Sequence, residues 1–263
     1  FDVQVEYAKA SADDTLILIS VTKRGSEDAD FSLLPTLWFR NTWAWENNAP
    51  KPKLSVKTAK ETLYVVEAEH PELEKNWLYC IPPEIHTEHT PAGLLFTENE
   101  THKELLFDAE SKSPYVKDAF HRYVINGEKS AINPEQTGTK AAAHYPMQLL
   151  PGETREIKLR LANTPDISNP LGDDFDTTFT ARKEEADKFY SQLSPLIHTD
   201  DLKNVQRQAF AGMMWGKQYY LYDVHTWLNG DPNTINPPTE RKRGRNQHWH
   251  HLDSQDILSM PDT

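Results

Sequence analysis

The chain has 263 residues, a formal net charge of −12 and 37% hydrophobic residues, with a mean hydropathy of −0.72. It contains no run of about 18 apolar residues, which excludes a spanning helix. The acidic balance argues against general nucleic-acid binding, because neutralising phosphates requires a broad positive surface. One cysteine, Cys80, cannot form an internal disulfide and points to a reducing, cytoplasmic setting.

From its first residue the chain reads as β structure. Phe1, Val3, Val5 and Tyr7 alternate with polar residues, the signature of a strand with one buried face. No initiator methionine and no signal sequence precede them, so the chain reads as an internal piece of a longer polypeptide. Further strands are predicted over 15–22, 33–39, 54–57, 62–67, 77–79, 94–96, 145–149 and 154–161. The last two flank Leu150-Pro151-Gly152-Glu153, where proline presets one turn position and glycine supplies the positive-φ one. Residues 116–123 fit no single period, and 134–139 read as an irregular loop. Many short strands with few helices predict an antiparallel sandwich.

After Asn163 the composition changes. Two prolines and a glycine between 164 and 174 mark a linker. Apolar residues then recur at helical spacing over 178–193, until Pro195 stops the run. A second helix is predicted over 200–222, capped by Thr199 or Asp200. Leu202, Val205, Ala209 and Met213 form one stripe, with Phe210 and Met214 beside it, so this helix needs neighbours on more than one side. Gly230, Pro232, Pro237 and Pro238 open a long irregular loop through Ser259, and loops of that length often carry function.

That loop holds the richest chemistry. Arg241, Lys242, Arg243 and Arg245 stand out in an acidic chain. His248, Trp249, His250 and His251 follow, then Asp253, Asp256 and Asp262. Flat aromatics beside charged hydrogen-bonding groups suit a sugar or nucleotide cleft. The basic cluster also reads as a solvated loop or as a domain-docking element. The histidines lack the spacing of a zinc site, as do His86 and His89 around Glu88, so no metal is expected. No cofactor is expected either, because glycine-rich phosphate loops are absent. A second cluster, Trp43 and Trp45, falls on one face if the strand continues, and serves as a stacking platform or as sandwich core. Cys80, in an apolar run, reads as a buried structural thiol.

Six strings, F-D-V at 1–3, E-Y-A-K-A at 6–10, L-L-P-T-L-W-F-R-N-T-W at 33–43, T-G-T-K-A-A-A-H-Y at 137–145, K-R-G-R-N at 242–246 and I-L-S-M-P-D at 257–262, together resemble bacterial glucosidase-like proteins. These are similar to glycoside hydrolase family 63, the family of mannosyl-oligosaccharide (processing) α-glucosidase. The resemblance implies a mainly β fold: an antiparallel β-super-sandwich over 1–163, a linker with a helix over 164–198, and the start of an (α/α)6 barrel over 199–263. It implies an inverting, exo-acting α-glycosidase whose general acid and base both lie beyond Thr263, so no catalytic residue is expected in this chain. Arg245, Trp249, Asp253, Trp43 and Trp45 remain as substrate-binding candidates. The expected partners are a carbohydrate and the remaining segments of the parent polypeptide, with no nucleic acid and no membrane. A non-catalytic carbohydrate-binding or interdomain module is the rival reading, since fold does not imply function.

Overall fold

The computed structural model describes all residues except 46–47, 61, 84–92, 233 and 260–263. His86, Glu88, His89 and Asp262 therefore lie outside the described residues. In chain order the elements are β1 (Asp2–Ser11), β2 (Asp14–Thr22), β3 (Ala29–Leu33), β4 (Thr36–Trp38), β5 (Lys53–Lys60), β6 (Leu63–His70), β7 (Glu74–Cys80) and β8 (Gly93–Thr97). Then come α1 (Lys103–Phe107), α2 (Ala119–Asn126), β9 (Thr137–Gly138), β10 (Lys140–Leu149), β11 (Thr154–Ala162), α3 (Asp173–Leu193) and α4 (Asp200–Trp215). The last elements are β12 (Lys217–Asp223), α5 (Val224–Asn229), a 3-10 turn (Thr239–Arg243) and β13 (Asp253–Ser259). The chain divides into two compact units: residues 1–41 with 50–183, and residues 42–49 with 184–263.

The first unit is a sandwich of antiparallel sheets. One sheet has seven strands in the order β1-β2-β11-β7-β6-β5-β9, and the other has β10 at its centre, paired to β3, β4 and β8. Their facing sides interdigitate in one core: Ile19, Val21, Leu54, Val66, Leu78, Cys80 and Leu159 from the first meet Leu94, Phe96, Ala141, Ala143 and Tyr145 from the second. Alternation produces this directly, because every second residue of a strand faces the same side. The β10–β11 turn forms where Leu150-Pro151-Gly152-Glu153 predicts it, with Gly152 at φ 79° and the Glu153 amide donating to the Leu150 carbonyl at 3.0 Å.

Two outer layers complete this unit. Phe175, near the start of α3, is buried against Ala8 and Leu16 and stacks on Phe179 with centroids 5.7 Å apart. Phe120 and Tyr123 of α2 pack on Leu95 and Ala142. This resolves the ambiguous 116–123 stretch as the lead-in to a helix that Gly127 ends at φ 68°.

Several expectations need correction. Strand 33–39 is two strands, because Pro35 interrupts it and its carbonyl accepts from the Ala143 amide at 3.2 Å instead of continuing the ladder. Residues 137–138 pair with β5 as strand β9, within the stretch read as loop. Val3, Val5 and Tyr7 share a face with buried Ile19 and Val21 yet stay exposed. β1 is the edge of a seven-stranded sheet, and the facing sheet has fewer strands.

In the second unit, α4 is capped by the Thr199 hydroxyl, which accepts from the Leu202 amide. The helix stops at Trp215, not at 222. Gly216 ends it by donating to the Gly212 carbonyl at 2.8 Å. The tyrosine-rich segment that follows takes the extended form such residues favour, once a partner strand is present. That partner is β13, so the expected irregular loop closes on a ladder from Lys217↔Ser259 to Asp223↔Asp253.

Candidate functional site

The β12–β13 ladder pins both ends of residues 224–252, and the chemistry-bearing loop hangs from it. At the root, Asp223 Oδ1 accepts from the amides of His225 at 2.9 Å and Thr226 at 3.2 Å, while Oδ2 accepts from the Thr226 hydroxyl. The Thr226 hydroxyl, ahead of the backbone amides, holds the Asp223 carboxyl below its ordinary range. Asp223 is thus an ionised helix cap for α5. Val224 and Leu228 are the buried residues of that helix.

Beyond α5 the loop is tied down by consecutive turns. Arg241 Nη1 donates to the Trp227 carbonyl at 2.9 Å, and its guanidinium lies over the Trp227 ring at 4.9 Å. This pairing places one of the four basic residues on an aromatic face, a contact of the cation–π type. Asn246, at φ 68°, donates from its side-chain amide to the Tyr222 hydroxyl. The Trp249 amide donates to the Asn246 carbonyl and the Leu252 amide to the Trp249 carbonyl, both at 2.9 Å, and the Val224 amide donates to the Leu252 carbonyl at 3.0 Å. A polar segment without regular structure acquires a fixed path in this way, because its backbone groups find partners.

Each residue singled out from sequence now has a place. Trp249 is 54% exposed, and its indole stacks on the His251 ring with centroids 5.9 Å apart and planes 20° from parallel. Arg245 lies exposed in the turn after the 3-10 segment, and Asp253 is the exposed first residue of β13. Trp43 and Trp45 are half-buried in a turn closed by the Trp45 amide and the Thr42 carbonyl at 3.0 Å. The expected strand ends at Trp38, so these two indoles do not share a strand face. The reversal of chain direction destroys the period-two relation on which that expectation rested.

Among the described residues, no group of three or more His, Cys, Asp or Glu side chains converges on a metal-sized position, and no helix is long and apolar enough to cross a membrane. Cys80 is fully buried, and burial pushes its thiol up to about 12. Sequence reasoning passed over Asp223, although Thr226 three residues on is part of a recognisable capping pattern. It also passed over Trp227, whose role depends on a guanidinium fourteen residues away.

The arrangement suits recognition more than proton transfer. An exposed indole and an exposed carboxylate are offered on one tethered segment, with Arg245 nearby in sequence. Asp223, the register partner of Asp253, has its carboxylate occupied with capping.

No family model matches the chain. A curated relative, "Uncharacterized protein YMR196W" of Saccharomyces cerevisiae (strain ATCC 204508 / S288c), is 35% identical over 289 residues, covering 100% of this chain and 27% of its own length. The chain thus spans about a quarter of the length of the curated relative it matches. A solved structure titled "Putative kojibiose phosphorylase from human microbiome" aligns over 84% of this chain and 22% of its own, with 10% identity and a TM-score of 0.31.

Proposed function

We propose that this chain is part of an inverting, exo-acting α-glycosidase that hydrolyses glucosidic bonds of oligosaccharides or small glycosides. The sandwich over 1–163 serves as the ancillary domain, 164–198 as the connector, and 199–263 as the first elements of an (α/α)6 catalytic barrel. The observation that carries this reading is the exposed Trp249–His251 stack, shortly before Asp253 in the chain, on a segment fixed at both ends by β12 and β13. An indole face packs on the apolar face of a pyranose, while guanidinium and carboxylate bind its hydroxyls. The exposed stripe of Leu202, Val205, Met213 and Met214 along α4 supports the barrel assignment, because burying each such side chain yields about 1.5–3 kcal/mol.

The test uses a polypeptide spanning the full length of the yeast relative. Trp249→Ala and Arg245→Ala should each lower kcat/KM on an α-glucoside while leaving the melting transition nearly unchanged. Loss of stability with unchanged kinetics of the folded fraction would make the loop structural instead.

A further inference from the structure

We infer that the sandwich unit carries a carbohydrate-binding groove of its own, built from Trp38, Phe39, His70, Asn76, Asp13 and Glu74. The sheet registers explain how these distant residues meet. Thr15 pairs with Leu161, Leu161 with Leu78, and Ala68 with Asn76, so the β1–β2 and β6–β7 hairpin tips lie at the same end of the seven-stranded sheet. β4 of the facing sheet ends there too, and together they line an open groove of about 420 Å³. That volume falls within the range of small-molecule sites.

The lining has a specific chemistry. Trp38 is 54% exposed at the rim, on a three-residue strand. An exposed indole in a concave setting offers a flat apolar face without the cost of being uncovered first. Behind it the Phe39 ring lies 5.2 Å from His70. His70 Nδ1 accepts from the Glu72 amide at 3.1 Å and the Leu73 amide at 3.2 Å. Two donors on Nδ1 fix the neutral tautomer with its proton on Nε2, so the ring presents a donor. Asn76 spends its amide nitrogen on the Leu73 carbonyl at 3.2 Å, which leaves its side-chain oxygen as an acceptor. Asp13 and Glu74 add carboxylate acceptors. Lys9, the cation of the groove, is tied to the Ala12 carbonyl and the Thr15 hydroxyl.

These groups select the ligand class. Two carboxylates against one committed ammonium repel phosphates and carboxylates. A purely apolar ligand would strip water from Asp13, Glu74 and Asn76 without replacing its hydrogen bonds. A neutral polyol with one flat C–H face satisfies donors, acceptors and indole together. The narrowing to a glucose-type sugar rests on the proposed function, whereas the preference for a neutral polyol does not.

The test is a titration of the 15N-labelled 263-residue chain, following the tryptophan indole N–H signals by NMR with maltotriose, cellotriose and triglycine. The Trp38 signal, assigned by its loss in Trp38→Phe, should shift saturably with one of the sugars and stay still with triglycine. His70→Ala should weaken that binding by roughly tenfold, and Trp38→Phe, which keeps an aromatic face, should weaken it less than Trp38→Ala. Matching amide dispersion controls for folding, and if Trp38→Ala fails to fold, the unsubstituted chain and Trp38→Phe decide. A Trp38 signal indifferent to both sugars overturns the inference, as does a shift with triglycine alone. Movement at Trp249 without Trp38 sinks the groove but leaves the β12–β13 loop reading intact; movement at Trp38 alone supports the groove and is independent of the loop reading, which the full-length polypeptide tests.

Discussion

Arg160 grips Asp14 with a forked guanidinium: Nε donates to Oδ1 at 2.9 Å and Nη2 to Oδ2 at 2.5 Å, joining β11 to the start of β2. The two side chains are only 8% and 15% exposed. Arg160 also donates from Nη1 to the Pro170 carbonyl at 3.2 Å and pairs with Asp174 at 3.5 Å, which anchors the approach to α3. Removing one member of such a pair strands the other in a poorly solvated place. Arg160→Ala should therefore cost about 3–5 kcal/mol in chemical denaturation. Arg160→Lys should recover part of this, since it restores charge but not the fork.

Gly138 allows β9 to pass directly over β8. A Cβ built there would sit 2.3 Å from the Thr97 carbonyl oxygen, a backbone atom that cannot swing away. The adjacent Thr139 hydroxyl donates to Glu98 at 2.7 Å and accepts from the Asn99 amide at 2.8 Å, so the crossing from one sheet to the other is fixed on both sides. Gly138→Ala should destabilise by about 1–3 kcal/mol, as overpacked sites do. Thermal melts would measure it.

The Asp223 cap has a defined pH signature. Its folded-state pKa lies below the ordinary 3.8, so its contribution is complete above that value and is lost as pH falls below it toward the lowered one. Asp223→Ala should cost about 0.5–2 kcal/mol at neutral pH, and the gap to the unsubstituted chain should close in acid below pH 3.8. Asp223→Asn, which keeps one acceptor but not the charge, should fall between Asp223→Ala and the unsubstituted chain at neutral pH.

Cys80 should be inert in the folded chain. Full burial and a thiol pushed up to about 12 deny it both access and thiolate character. Labelling with a thiol reagent at neutral pH should proceed only with unfolding, at the same denaturant midpoint that tryptophan fluorescence reports. Rapid stoichiometric labelling of the native chain would show the core around β7 to be open.

Much of the sandwich was legible because its strands alternate and its turns carry the residues their geometry demands, as at Pro151 and Gly152. The β12–β13 ladder was not legible. Tyr219, Leu221 and Tyr222 also fit a continued helical stripe, and Asp253-Ser254-Gln255-Asp256 has no strand periodicity. Only the pairing of the two segments settles their form. The same holds for Trp43 and Trp45, where a turn replaced an extended run that sequence spacing alone permits. Arg245, Trp249 and Asp253 could be chosen by residue type, but the stack of Trp249 on His251 depends on the turns at Asn246 and Leu252. The groove at Trp38 was hidden more deeply, because its walls come from hairpin tips far apart in the chain.

The most direct test of the central claim follows the first sugar released from an α-glucoside by a polypeptide spanning the full length of the yeast relative, using proton NMR to read its anomeric form before mutarotation. Inversion requires two carboxyl groups about 6.5–9.5 Å apart, one to protonate the leaving oxygen and one to activate a water that attacks from the opposite face of the sugar. The β-anomer should be released by the full-length polypeptide, with no turnover by the 263-residue chain alone. Release of the α-anomer, clear turnover by the 263-residue chain, or no sugar released from any α-glucoside by the full-length polypeptide would contradict it.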